Sequence, residues 1–541
     1  NFNYGAEKWN VYGTLSYRFA ETELTYDENI LNYNREVSPN FIRNLHIWEE
    51  SLATQNYKLG FVSDPFKNHV FGFEGYVRVQ NENVDNDGTI SAEHNGTELD
   101  VGTADFDREQ DNNLYNMTFN YSWKMDSINS QFNLFAEYLN KQTDGFSAAN
   151  SVYQKGVFDN SAERFNSKVG TEIYSVQADF TKRFKKNLNL EMGLLATYID
   201  RENDLLSDFL VNNEWVENER SNAFTYTEEI VGGYISMSKR FKEKNFFQIG
   251  LRLEDTKLER IELLDNSVIE QDYLNLFPSV YFSRDLKNGN SLSANFSRKF
   301  RRPDFYFLNN YVIKLNDFSF EQGNPDLRPE FVNKLQVSFN QSNQTTAAYF
   351  HKTTNAINPT YTLDGSVAFF QLKNIGERTQ YGIEYNRFGN INKWWFIKGM
   401  VDVFYRYFTD DNGQNSFKTF AGYMTLSNTF KINKTTSFDI SGEYESPHKD
   451  AFINKSYNYY IDLMLQKTFL DNQLTCRIYL FDVFHNWRHV DKRPFETFET
   501  NFNLRYRTRM LRLWVGYNFA SKSKVSERKI QSKNDAKDRV W

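Results

Sequence analysis

The stretch NFFQIGLRLE, residues 245–254, alternates without a break: Phe247, Ile249, Leu251 and Leu253 are apolar, and Gln248, Gly250, Arg252 and Glu254 stand between them. A period of two marks a strand with two unlike faces. The pattern recurs. In 173–181, Tyr174, Val176, Ala178 and Phe180 oppose Ser175, Gln177, Asp179 and Thr181. In 394–408, Trp395, Ile397, Val401, Val403, Tyr405 and Tyr407 share one face, while Lys398, Asp402 and Arg406 lie on the other. The chain has many such strands and few helical periods to cover them, so the apolar faces need another cover.

The connections are of two kinds. Short ones rich in Asn and Lys stand at 66–69, 127–130, 185–187, 242–245, 287–290, 341–343, 390–393, 431–436 and 470–472. Asn and Gly supply the positive φ of tight hairpins. Long polar ones are read at 87–110, 146–163, 204–221, 303–331 and 447–455. Tight turns at one end and long loops at the other are the signature of an outer-membrane barrel. The strands read as about 12–20 residues, beyond the ~5–6 usual in soluble sheets. Hydrocarbon leaves no backbone group a partner outside the sheet, so a sheet facing lipid must close on itself. The predicted fold is therefore all-β: a transmembrane antiparallel up-and-down β-barrel with short periplasmic turns and long extracellular loops.

About 21 strands are placed, the first of them a stub. Parity of up and down requires one more upstream, for a total of about 22, a size whose lumen calls for a plug. The barrel is assigned to 1–519, with the first strand and any plug expected before it. Residues 520–541 form a polar tail of mixed charge, expected to be periplasmic and disordered. Near 507–510 the apolar parity switches, which is read as a bulge in one long last strand rather than a turn.

Composition narrows the class. Aromatics are 17 % of the 541 residues, and the net charge of −7 argues against a nucleic-acid partner. The single cysteine, Cys476, excludes an internal disulfide framework. No apolar run reaches the ~18 residues of a transmembrane helix, but spanning strands need only ~9–11 alternating residues.

The motif GNPDLRPE at 323–330 resembles the Gly-Asn-Pro-x-Leu-x-Pro-Glu signature of TonB-dependent receptor barrels. The segment NFSRKFRRPDFYFLNNY at 295–311 resembles the Arg-Arg-Pro segment of the Bacteroidota branch of that family, and LWVGYNF at 513–519 is similar to its aromatic-ended last strand. The resemblance implies an outer-membrane receptor that takes up a nutrient of siderophore, glycan or peptide type, driven by the TonB complex through a plug domain. No plug and no TonB box lie within these residues. The resemblance also implies outer-membrane lipid and lipopolysaccharide as surroundings, and a surface lipoprotein or larger outer-membrane assembly as partner. The alternative is a non-transporting structural or docking barrel of such an assembly. A soluble secreted β protein is a third reading, disfavoured by how cleanly the charged and apolar faces separate.

No nucleophile elbow, zinc-protease motif or phosphate loop is present, so no enzyme and no cofactor is expected. Asn83, Asp85 and Asp87 open a half-match to a calcium loop whose twelfth position is His94 instead of Glu; a solvated loop is the simpler reading. His485 and His489 lack the further ligands a metal site needs. Arg301, Arg302, Asp304, Tyr306, Asn324 and Asp326 are candidate ligand-binding residues. The simpler reading of the arginines is pairing with lumen carboxylates near Glu330.

Overall fold

The apolar side chains Phe247, Ile249, Leu251 and Leu253, which alternate outward along Asn245–Glu262, lie bare on the outer wall. Ile249 is 45 % and Leu251 43 % exposed, while Arg252 and Glu254 turn inward. Its neighbour Asn222–Phe241 repeats the pattern with Val231, Ile235 and Met237 outward, in the register Leu253↔Gly233, Leu251↔Ile235 and Ile249↔Met237. Tens of such side chains stand exposed round the sheet, far more apolar surface than water tolerates on a soluble protein. Lipid is their cover. The band ends sharply: beyond Leu253 the same outward parity carries Lys257 and Glu259.

The structure, a computed structural model, describes residues 2–309, 311–413 and 416–518. Their main sheet has 26 strands, each antiparallel to its neighbours. It is the wall of a transmembrane antiparallel β-barrel. Setting aside the short outer strands Glu214–Glu217, His448–Asp450, Ile453–Lys455, Arg488–Pro494 and Phe498–Tyr506 leaves 21 positions round the wall. The first of these is the stub Phe2–Gly5, paired with Asn10–Gly13. Strands such as Thr97–Lys124, at 28 residues, are far longer than the ~9–11 that cross a bilayer, so they carry the wall well beyond the membrane.

The predicted tight turns are present, with positive φ at Asn68, Asn129, Asn187, Asn288 and Asn472. In the turn after Thr97–Lys124, the Asp126 carboxylate accepts from the backbone N–H groups of Ile128 (3.1 Å) and Ser130 (2.8 Å) and from Lys182 Nζ (3.1 Å). The Ser130 bonds, and behind them Lys182, hold its pKa down to about 2. A depressed carboxylate stabilises the fold fully above its unfolded value of ~4 and loses that stabilisation as pH falls through the folded value. Asp126→Asn is therefore expected to lower the urea unfolding midpoint at pH 7. That difference should persist to pH 5 and vanish near pH 2, as read by tryptophan fluorescence across a pH series.

The outer connections differ from the expectation. The region 87–110 is strand on both sides of a two-residue turn, Asn95–Gly96, with φ of 51° and 81°. Residues 204–221 continue as strand to Val211 and turn at Asn212–Asn213. Only 154–160 remains of the loop placed at 146–163, and 447–455 holds two short strands. Outside the membrane both faces of a strand are wet or meet polar neighbours, so the alternation that reveals a strand is lost while the strand continues.

At the end of the chain, Phe498–Tyr506 pairs with Leu24–Asn32, bringing the sheet back onto its first long strand. Met510–Tyr517 runs on in the same direction but pairs with Leu474–Phe481. The break at Arg507–Arg509 is thus an irregularity in one descending strand and not a reversal. No pairing among the described residues joins Met510–Tyr517 to Trp9–Asn32. The tail assigned to 520–541 lies outside the described residues.

A second sheet stands within the ring. Val312–Asn316, Ser319–Gln322, Val367–Asn374 and Ile357–Asp364 form four strands, with Ser319–Gln322 parallel to Val367–Asn374. Its side chains reach inward-facing groups of the wall. Ser319 Oγ donates to Glu28 (2.8 Å), Tyr153 Oη to Asp317 (2.6 Å), and Lys314 Nζ to Ser161 Oγ (2.8 Å). Phe305, Leu308, Tyr311 and Leu327 pack on Leu258, Ile230, Phe224 and Tyr226 of the wall in one buried cluster. The segment read as a long outer loop at 303–331 is thus a folded partition turned into the lumen, driven there by its own apolar side chains.

Candidate functional site

The partition is anchored at its entry by Arg302. This side chain is 6 % exposed and lies between two buried carboxylates: its Nε is 3.2 Å from Glu228 and its Nη2 2.5 Å from Glu254. Nη2 also donates to Thr256 Oγ1 (3.1 Å), and the guanidinium stands 4.3 Å from the Phe300 ring centroid. Arg252 is a second partner of Glu254, and Tyr226 Oη donates to Glu228 (2.7 Å). Strands placing Glu228 and Glu254 on the lumen face, and a chain leaving the wall at Arg301, bring these charges together. Arg301 itself is exposed and pairs with Glu330 (3.1 Å), the carboxylate that the sequence pointed to.

Past Arg302 the chain makes a short turn, Phe305–Leu308, capped by Asp304, which accepts from Tyr306 N (3.0 Å). Asp304 and Tyr306 line a cavity of about 390 Å³ inside the ring, together with Arg108, Lys141, Arg201 and Tyr311. Asn324 and Asp326 are elsewhere, beside Lys373 on a separate surface hollow. The six candidate residues therefore divide. Two line the lumen cavity, two are ion-paired at the partition's entry, and two belong to the signature motif. The cavity's cations came from strands whose sequence gave no sign of it; nothing local to Arg108, Lys141 or Arg201 sets them apart from other lumen-facing charges.

The motif GNPDLRPE works as a fastening. Asn324 Oδ1 accepts from Asp326 N (3.0 Å), and its Nδ2 donates to Leu372 O (2.8 Å). Leu327 is buried in the partition's core. Arg328 exchanges backbone hydrogen bonds with the Asn374 side chain, at 2.8 Å each. Glu330 accepts from Ile357 N (3.1 Å). The glycine is required by contact: a Cβ on Gly323 would overlap the Asn309 carbonyl oxygen, a backbone atom with nowhere to go. Gly323→Ala should destabilise the partition by about 1–3 kcal/mol, the cost of overpacking. Limited proteolysis is the check: cleavage within 303–329 should rise while the wall stays resistant.

The calcium-loop reading of Asn83, Asp85 and Asp87 is corrected: residues 83–94 are extended strand within His69–His94, and these three side chains are exposed on its outer face. Alternation, not a loop, sets their spacing. His489 lies in Arg488–Pro494 with its ring against Trp487, and His485 precedes that strand. Among the described residues no group of three His, Cys, Asp or Glu side chains gathers as for a metal.

A family described as "Outer membrane protein beta-barrel family" matches residues 123–519. The chain belongs to this family. As a member of the outer membrane protein β-barrel family it resides in the cell outer membrane, with the bare apolar band in the bilayer. Among solved structures, the ferric yersiniabactin uptake receptor FyuA from Yersinia pestis is similar at a TM-score of 0.54 and 9 % identity, over 92 % of this chain and 80 % of that one. The copper transporter OprC is similar at 0.54 and 11 %, over 90 % and 81 %. The siderophore receptor PiuA from Acinetobacter baumannii is similar at 0.50 and 10 %, over 90 % and 81 %. At such identities the likeness is one of fold. No curated protein matches the chain.

Proposed function

We propose that this barrel is the membrane-spanning part of an energised outer-membrane receptor that imports a nutrient. The observation that carries the reading is the folded partition inside a wide ring: a lumen of this size spanned by its own packed sheet does not serve as an open pore, and passage requires the partition to give way. The TonB-dependent signature in the partition and the likeness to uptake receptors support the same reading. A plug and a TonB box belong to such a machine. Among the described residues, the edge of Trp9–Asn32 that pairs with Phe2–Gly5 at Asn10–Gly13 and with Phe498–Tyr506 at Leu24–Asn32 carries no partner strand along Thr14–Glu23.

Deleting the gene and growing cells on single nutrients tests the reading. Loss of growth on one nutrient, reproduced by removing TonB, is the expected result; unchanged growth on every source sinks it. The second reading, a docking subunit, is favoured by the tall outer wall, which presents Glu49, Asp85, Asp87 and Glu109 outward above the membrane. Stoichiometric co-purification of another protein without any nutrient phenotype would establish it instead.

A further inference from the structure

The cavity beneath the Phe305–Leu308 turn has a consistent chemistry. Its volume, about 390 Å³, lies within the ~300–1,000 Å³ typical of small-molecule sites. Three cations line it, Arg108, Lys141 and Arg201, against one carboxylate, Asp304. Arg108 is paired with Glu82, which stands outside the lining. Arg201 donates to Asn203 (3.2 Å) and Thr171 (3.4 Å), and its guanidinium lies 5.2 Å from the centre of the Phe305 ring. Part of the remaining wall is aromatic: Trp48 and Phe106 lie with centroids 5.6 Å apart, and Phe165 and Tyr306 join them, while neutral polar and aliphatic side chains such as Gln110, Thr143 and Leu205 line the rest.

One further atom points to a ligand. Tyr311 is 7 % exposed, lines the cavity, and its hydroxyl has no hydrogen-bond partner among the described residues. A buried O–H is costly to leave unmatched and is met by an acceptor. A net positive lining, a donor in want of an acceptor and an aromatic patch beside them point to one kind of guest.

We propose that this cavity binds a small organic acid with a flat, unsaturated body. Its carboxylate sits among Lys141, Arg201 and the Tyr311 hydroxyl, and its body lies against the aromatic wall, where ring stacking and guanidinium–ring contact both operate. The inference deepens the receptor reading and rests on it, the acid being the cargo or its recognised part.

Titration calorimetry on the full chain in detergent tests it, with naphthalene-2-carboxylate as probe, 2-naphthylmethanol as the same ring without charge, and citrate as charge without a ring. The carboxylate is expected to bind saturably at one site. The alcohol and citrate should each bind at least tenfold more weakly. Arg201→Gln and Lys141→Met should each weaken naphthalene-2-carboxylate at least tenfold, and Tyr311→Phe severalfold, with heat-modifiable migration in gels unchanged as evidence of an intact barrel. No saturable binding, equal binding of the alcohol, tighter binding of citrate, or indifference to the substitutions overturns the proposal. Its failure is separable from that of the receptor reading: uptake of a nutrient with no probe binding refutes the cavity alone, whereas the full binding pattern in a protein whose loss affects no uptake refutes the receptor alone.

Discussion

Leu251→Arg prevents stable insertion, whereas Gln248→Arg three residues away leaves it intact. Leu251 lies in the middle of the outward apolar run Phe247–Leu253, bare on the outer wall, and its strand neighbours across the sheet are Ile235 and Pro278. Arginine near the midplane of a barrel's lipid face costs about 2–4 kcal/mol, which falls off toward the interfaces. Gln248 has the opposite parity and faces the lumen, where it donates to Ser236 Oγ (2.9 Å); a longer cation there meets water and other polar groups. Lys257→Arg serves as a control above the band, where the outward face already carries charge. Urea titration of the folded barrel in lipid vesicles measures all three. Equal loss at Leu251 and Gln248, or none at either, would mean that hydrocarbon does not cover the odd-numbered face of this strand, and the membrane assignment would fall.

Why that face was readable from the residues, and the partition was not, has one physical cause. Within the bilayer, solvent differs on the two sides of each strand, so alternation is enforced: Phe247, Ile249, Leu251 and Leu253 against Gln248, Gly250, Arg252 and Glu254. Tight inner turns demand positive φ, so Asn129 and Asn288 announce themselves. Above the band neither constraint holds. Thr97–Lys124 there presents Asp105, Asp107, Glu109 and Asp111 outward, and a run so polar reads as loop although it is strand. A signal for the partition did exist. On the lumen parity of Asn245–Glu262 polar residues give way to buried Leu258, and on Asn222–Phe241 to buried Ile230, Tyr226 and Phe224. Apolar side chains on the wet face of a barrel strand require something packed inside, and Phe305, Leu308, Tyr311 and Leu327 are what packs there. The arginine pairing near Glu330 was legible because signature and strand order set Arg301 close to it. The cavity's cations were not, since each stands on a different strand, Thr97–Lys124, Gln131–Tyr153 and Leu188–Val211, and only the folded ring brings them together.

Replacing Arg302 by alanine should loosen the partition more than any other single change in it. Glu228 and Glu254 are 1 % and 2 % exposed, and Arg302 is a cation shared by both. Removing one member of a buried ion pair strands the other charge at a cost of about 3–5 kcal/mol. Arg252 still serves Glu254, and Tyr226 still donates to Glu228, which keeps the loss toward the lower end of that range. Arg302→Ala is therefore expected to open 303–329 to protease and to lower the first unfolding transition in urea, with the lipid-facing wall unchanged. Combining Arg302→Met with Glu228→Gln and Glu254→Gln should recover most of that loss, because two neutral amides and a thioether leave no buried charge without a partner. If the triple substitution is as labile as Arg302→Ala, the effect comes from lost packing on Phe300 and not from charge; if neither variant changes protease sensitivity, Arg302 does not hold the partition in the lumen. On the receptor reading, the same variant carries a functional consequence: a released partition leaves a wide ring less obstructed, and Arg302→Ala should admit large antibiotics to cells that the parent barrel excludes.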